Sequence, residues 1–154
     1  MRYSLDTSAL LDGWVRYYPP DVFPTVWDKL DTLATSGHLK ATEEVLTELG
    51  KKADGAYDWL KDRPHMVAPI DNVIQPAVTE ILRAYPRLVG VRKFRTEADA
   101  FVIALAQIED CIVVSAEQPS NNLSQNPKIP DICASLGIRH INLVGMFREQ
   151  GLSI

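Results

Sequence analysis

The stretch from Ala100 to Ser115, AFVIALAQIEDCIVVS, limits the possible folds of this chain more than any other segment. Its first half is apolar nearly all round a helical wheel, so the helix it predicts over Glu97 to Ile108 has to be covered on more than one side. Its second half, Cys111 to Ser115, is a continuous β-branched run, the pattern of a central parallel strand buried on both faces. A buried helix running straight into a buried strand calls for a layered α/β structure, with helices packed on a mainly parallel sheet.

The rest of the chain supplies the remaining layers. Tyr3-Ser4-Leu5-Asp6 reads as a short opening strand. Phe23, Val26, Trp27, Leu30 and Leu33 follow Pro19-Pro20 at helical spacing and end at Gly37. His38 to Ala41 predicts a second strand, and Thr42 then caps a helix carrying Val45, Leu46 and Leu49 inward, with Glu43 and Glu44 in its first turn. Gly50 to Gly55 breaks the pattern, a short helix holds Tyr57, Trp59 and Leu60, and Pro64 stops it. His65 to Ile70 reads as a third strand and Asn72 to Tyr85 as a helix. After the central strand, Gln118 to Pro130 is polar and rich in breakers, longer than an ordinary connection of about 2 to 6 residues. Asp131 to Leu136 is a helix ended by Gly137, Arg139 to Asn142 a last strand, and Leu143 to Gln150 a closing helix.

A chain of 154 residues suits one domain spanning 1–154, with 46% hydrophobic residues to fill its core. No run approaches the roughly 20 apolar residues of a membrane span, and Met1 to Leu11 lacks the pattern of a signal peptide, so a cytoplasmic protein without membrane contact is expected. Cys111 and Cys133 follow neither a metal spacing nor a disulfide framework and read as buried thiols, with a disulfide as the alternative. The net charge of -4 hides a local excess of base. Arg83, Arg87, Arg92, Lys93 and Arg95 occur without an acid between them, just before Glu97-Ala98-Asp99. Phosphate affinity arises from such clusters.

In an open parallel sheet, ligands gather beyond the carboxyl ends of the strands. Asp6 ends the first strand, either as a site acid or as the N-cap of a helix beginning at Ser8. Glu48 lies at the margin of an apolar helix face, whereas Glu43 and Glu44 read as solvated surface. Asp99 occupies the first turn of the buried helix, where a capping-box partner of Thr96 would also sit. Glu117 follows the central strand by two residues from Ser115 and is otherwise an ordinary loop acid. Four acids at one sheet edge would repel one another and raise their own pKa values unless a cation joined them. Oxygen ligands alone favour Mg²⁺ or Mn²⁺. His38, His65 and His140 show no metal spacing and read as structural.

The segments YSLDTSALLD, TEEVLTELGKK, TEADAFVIALA and IVVSAE, in this order, resemble the acidic motifs of PIN-domain nucleases, the fold of VapC-type toxins in bacterial toxin-antitoxin pairs. The resemblance implies a PIN-like three-layer fold and a metal-binding, catalytic quartet of Asp6, Glu48, Asp99 and Glu117, with Ser8 and Ser115 as supporting hydroxyls. It departs from the family pattern at Glu117, where many relatives carry Asp, and the tail IPDICASLGIRHINLVGMF is similar to a PIN-like subgroup of poorly defined role. The activity implied is endoribonuclease cleavage of RNA to 5′-phosphate products with one or two Mg²⁺ or Mn²⁺ ions activating water. An antitoxin and a second copy of the chain are the protein partners that follow from it.

Arg92, Lys93 and Arg95 would position the RNA backbone. Lys51, Lys52, Tyr57, Trp59 and Lys61 form a second basic-aromatic surface, whose aromatics more commonly serve packing. Two rivals stand beside the nuclease: a degenerate PIN-like RNA- or protein-binding module, and phosphotransfer through an aspartyl phosphate. The second lacks the Asp-x-Asp pair of phosphatases, because position 8 is Ser.

Overall fold

The computed structural model describes residues 1–88 and 98–153. Five parallel strands form one sheet: β1 (Tyr3–Leu5), β2 (Leu39–Thr42), β3 (Val67–Ala68), β4 (Ile112–Val114) and β5 (His140–Ile141), in the spatial order β3-β2-β1-β4-β5. The helices are α1 (Thr7–Leu11), α2 (Pro24–Thr35), α3 (Glu43–Gly50), α4 (Asp54–Lys61), α5 (Ile74–Ala84), α6 (Ala98–Glu109), α7 (Ile129–Leu136) and α8 (Leu143–Glu149). The expected three-layer α/β architecture is present, and every pairing is parallel, Leu5 lying opposite Val114 and Tyr3 opposite both Leu39 and Ile112. After β1 the chain builds outward through β2 and β3, then returns to lay β4 on the other flank of β1. The order therefore reverses between β1 and β4, which opens a crevice beyond their carboxyl ends.

Each element follows from local chemistry. Thr42 ends β2 in an extended conformation and its Oγ1 accepts the Val45 amide at 3.3 Å, capping α3 as expected. Gly37 and Gly137 adopt φ of 81° and 70°, the left-handed conformation that stops a helix without a Cβ clash. α6 is buried from Ala100 through Ala106, and β4 is buried throughout. Two registers orient α6: the Ser4 hydroxyl donates to the Val102 carbonyl at 2.8 Å, and Arg2 and Lys40 reach Glu109 at 3.5 and 2.5 Å. The C-terminal end of α6 thus lies at the amino edge of the sheet and its first turn at the carboxyl edge.

The structure departs from the sequence reading at several ends. The third strand contracts to two residues, with His65 drawn into a 3-10 turn over Pro64–Met66. α7 begins at Ile129 instead of Asp131, which moves to its first turn. A π-helical turn over Asp12–Tyr17, closed by the Tyr18 amide on the Gly13 carbonyl at 2.8 Å, extends α1 and was not foreseen. Trp59 is no RNA platform: it is 8% exposed and packs edge-on against Trp27 at 5.1 Å, because a large apolar ring gains more from burial than from solvent. Both cysteines are free and buried, and burial pushes the thiols up, to about 11 for Cys111 and about 12 for Cys133. Among the described residues no helix is long and apolar enough to cross a membrane.

The aromatic cluster gives a stability prediction. Trp14 meets Trp27 edge-on at 4.7 Å, and a Cβ on Gly55 would lie 2.6 Å from the Trp14 Nε1. Gly55→Ala should therefore lower the melting temperature despite alanine's better helix propensity, since overpacking costs about 1–3 kcal/mol against about 1 gained. Thermal denaturation decides this: a variant as stable as the parent would show the indole free to move.

Candidate functional site

Asp6 leaves β1 at the point where strand order reverses. Its amide donates to the Val114 carbonyl at 2.9 Å, holding the residue beside the end of β4. The side chain is only 3% exposed. Oδ2 accepts the Ser8 amide at 3.2 Å and the Ser8 hydroxyl at 2.5 Å, so Asp6 is indeed the N-cap of α1. Oδ1 is buried and has no hydrogen-bond partner. The cap therefore occupies one oxygen of the carboxylate and leaves the other without a donor.

The loop after β4 closes around this pair. Ser8 Oγ accepts the Ala116 amide at 2.9 Å, tying α1 to the end of β4. Ser115 is fully buried; its Oγ accepts the Glu117 amide at 3.3 Å and pairs with His140 Nε2 at 2.6 Å. Burial lowers the His140 pKa, which keeps this imidazole a neutral structural partner, as the sequence reading holds. The half-buried Glu117 accepts the Ile129 amide on Oε2 at 2.9 Å, a carboxylate at the start of α7.

Glu48, on the inner margin of α3, has a side chain 11% exposed and lies 3.8 Å from Lys52. Its neighbour Glu44 is half-buried and Glu43 exposed, so the solvated reading suits Glu43 better than Glu44. Asp99 is half-buried in the first turn of α6. It stands one turn, about 4.5 Å, beyond Val102, while Asp6 stands about 6.6 Å beyond Ser4, the residue bonded to Val102. Asp6 and Asp99 thus occupy the same edge of the molecule.

The electrostatics register part of this gathering. Burial, followed by the charges of Glu117 and Glu48, pushes the Asp6 carboxyl up to about 6, against the lowering effect of the Ser8 hydrogen bonds. Yet among the described residues no three Asp, Glu, His or Cys side chains stand together as a ready metal cage. Glu117 is turned to Ile129 and Glu48 toward Lys52. Asp6 Oδ1 nonetheless fits a cation: a buried carboxylate oxygen without a donor is costly, and an all-oxygen donor set suits a hard ion.

The basic residues divide. Lys51 and Lys52 are exposed just past α3, whereas Arg92, Lys93 and Arg95, with the Thr96 cap, lie outside the described residues. The sequence reading overlooked Asp131, which orders the long polar loop. Its carboxylate accepts the Ser120, Asn121 and Lys128 amides at 3.0, 3.0 and 2.9 Å and lies 2.9 Å from the Ser120 hydroxyl. Its signal was present: an acid in the first turn of a helix, following a run of Ser and Asn. Asp12 was also passed over, although it closes the same DTSALLD segment.

No curated protein matches this sequence. One family model does, over residues 3–154, nearly the whole chain. The protein therefore belongs to the family described as Domain of unknown function (DUF4411).

Proposed function

We propose that this chain is a PIN-like, metal-dependent endoribonuclease, with Asp6, Glu48, Asp99 and Glu117 as its metal-binding acids. The observation that carries the reading is the buried, unpartnered Asp6 Oδ1 at the strand-order reversal, with its carboxyl pushed up to about 6 by burial and neighbouring acids. Bound Mg²⁺ or Mn²⁺ would supply Lewis-acid activation of water and stabilisation of the leaving 3′-oxygen. Ser8 fixes Asp6 by occupying Oδ2, which leaves Oδ1 as the oxygen to offer. Ser115 holds the backbone of Glu117 at the end of β4. Lys51 and Lys52, and Arg92, Lys93 and Arg95 from the segment entering α6, would hold the phosphate backbone.

Purified protein incubated with mixed RNAs should cut them with Mg²⁺ or Mn²⁺, leave 5′-phosphates, and do nothing in chelator. Absence of cleavage in both metals would end the nuclease reading. The spread of the acids, with no three of them grouped among the described residues, favours the binding module as the second reading. RNA retention without cleavage identifies it. The toxin role, with an antitoxin or second copy masking the site, predicts growth arrest on expression that Asp6→Asn relieves.

A further inference from the structure

A cleft of about 280 Å³ opens beside Asp6, between the π-helical turn and the loop after β4. Ala9 and Ala116 form its side toward the acids, and Asp12, Tyr17, Gln118 and Asn142 supply its polar and aromatic walls. Its volume lies just below the roughly 300–1,000 Å³ range of ligand pockets, the scale of one nucleobase with part of its sugar. Ala116 donates to the hydroxyl that holds Asp6, so the cleft wall is joined to Asp6 through two hydrogen bonds.

We infer that this cleft is a base-recognition subsite selecting a guanine of the substrate RNA, with Tyr17 as stacking platform, Asp12 as acceptor and Asn142 as donor. The inference rests on the reading that RNA is the substrate. Tyr17 lines the cleft and is 56% exposed, and the Arg16 guanidinium stands 5.9 Å from its ring centroid. Asp12 is one-third exposed, and among the described residues its ion-pair partner is Arg16, 3.9 Å away, too far for a hydrogen bond. Its two oxygens remain able to accept a pair of adjacent donors. The Asn142 Oδ1 is committed to the Gly145 amide at 2.8 Å, so the group Asn142 has left to offer is its NH₂ donor.

Guanine presents N1–H and N2–H₂ side by side for a carboxylate, with the O6 acceptor next along for the amide NH₂. Adenine and uracil alternate a donor with an acceptor on that edge, and cytosine offers a single amino group. A donor-rich edge beside an acceptor is what Asp12 and Asn142 can satisfy together.

The test is equilibrium binding of the full chain, in chelator so that nothing is cut, to the RNAs UUGUU, UUAUU, UUCUU and UUUUU. UUGUU should bind roughly tenfold more tightly than the other three. Asp12→Asn, which replaces the paired acceptor by a mixed edge, should erase that preference. Tyr17→Ala should weaken all four oligonucleotides by roughly tenfold and leave their ranking intact. Equal binding of the four, or a guanine preference surviving Asp12→Asn, overturns the inference while leaving RNA as substrate. Failure to bind any of them overturns both. Guanosine 5′-monophosphate alone should bind more weakly than UUGUU; equal affinity would assign the cleft to a free nucleotide and overturn the RNA assignment.

Discussion

Asp6→Asn should abolish metal-dependent RNA cleavage and, measured in chelator, raise the melting temperature of the protein at neutral pH. Loss of a carboxylate that binds the activating ion removes a contribution worth several kcal/mol at the transition state, a rate loss of at least about a thousandfold. The stability effect has the opposite sign. Burial, with Glu117 and Glu48 nearby, pushes Asp6 up to about 6 in the folded state. The folded protein therefore holds the Asp6 proton more tightly than the unfolded chain does. Stability from this group is complete below the ordinary carboxylate range and is lost as pH rises through about 6. Above that, ionised Asp6 destabilises the fold by an amount on the order of 3 kcal/mol at most, which asparagine relieves in part because its amide still needs a partner. A gain of several degrees at pH 7.5 that vanishes near pH 4 is the expected pattern. A variant that cuts RNA normally, or gains the same increment at both pH values, would refute the role of Asp6.

Asp131→Ala should unfasten the segment from Gln118 to Lys128 and destabilise the whole domain. One carboxylate collects three backbone amides and contacts a hydroxyl, so its removal leaves several polar groups of that segment without their partner. Hydrogen bonds to a charged group are worth about 1.5–3 kcal/mol each in favourable cases, but water can replace those at the surface, so a net loss of about 2–3 kcal/mol is expected. That corresponds to a fall of roughly 5–10 °C in melting temperature. The amides hold the Asp131 carboxyl below its ordinary range, more than offsetting the effect of burial, the largest single influence on it. Its contribution is therefore present above the unfolded carboxylate pKa and lost on acidification, the reverse of Asp6. The deficit of the variant should accordingly shrink toward pH 3. Faster proteolytic nicking between residues 118 and 128 would accompany it, and cleavage of RNA should fall because Ile129, which anchors Glu117, adjoins the loosened segment. An unchanged melting temperature with undiminished protease resistance would show that the clasp carries no stability.

The two results would also separate the proposed roles of the acids. Asp6 is expected to sacrifice stability for function, while Asp131 serves stability alone and reaches the site only through the segment it ties down. Glu117 lies between these cases, one of its oxygens committed to the start of α7.

The residues themselves carried the layered architecture. An all-round apolar helix in AFVIALAQI and an unbroken β-branched strand in CIVV have one stable solution, burial on two sides, and Thr42, Gly37 and Gly137 mark helix ends through short-range bonds and backbone sterics. Asp6 was legible as the cap of α1 for the same reason, since its neighbours in sequence are its neighbours in space. What tertiary structure alone decided were the encounters between distant segments. Strand order brings Asp6 beside Ala116, Trp59 turns inward because Trp27 receives it, Glu117 bends to Ile129, and Asp131 reaches back to Ser120. Such partners are set by the competition among all surfaces for burial and hydrogen bonds, and no local period or spacing encodes its outcome.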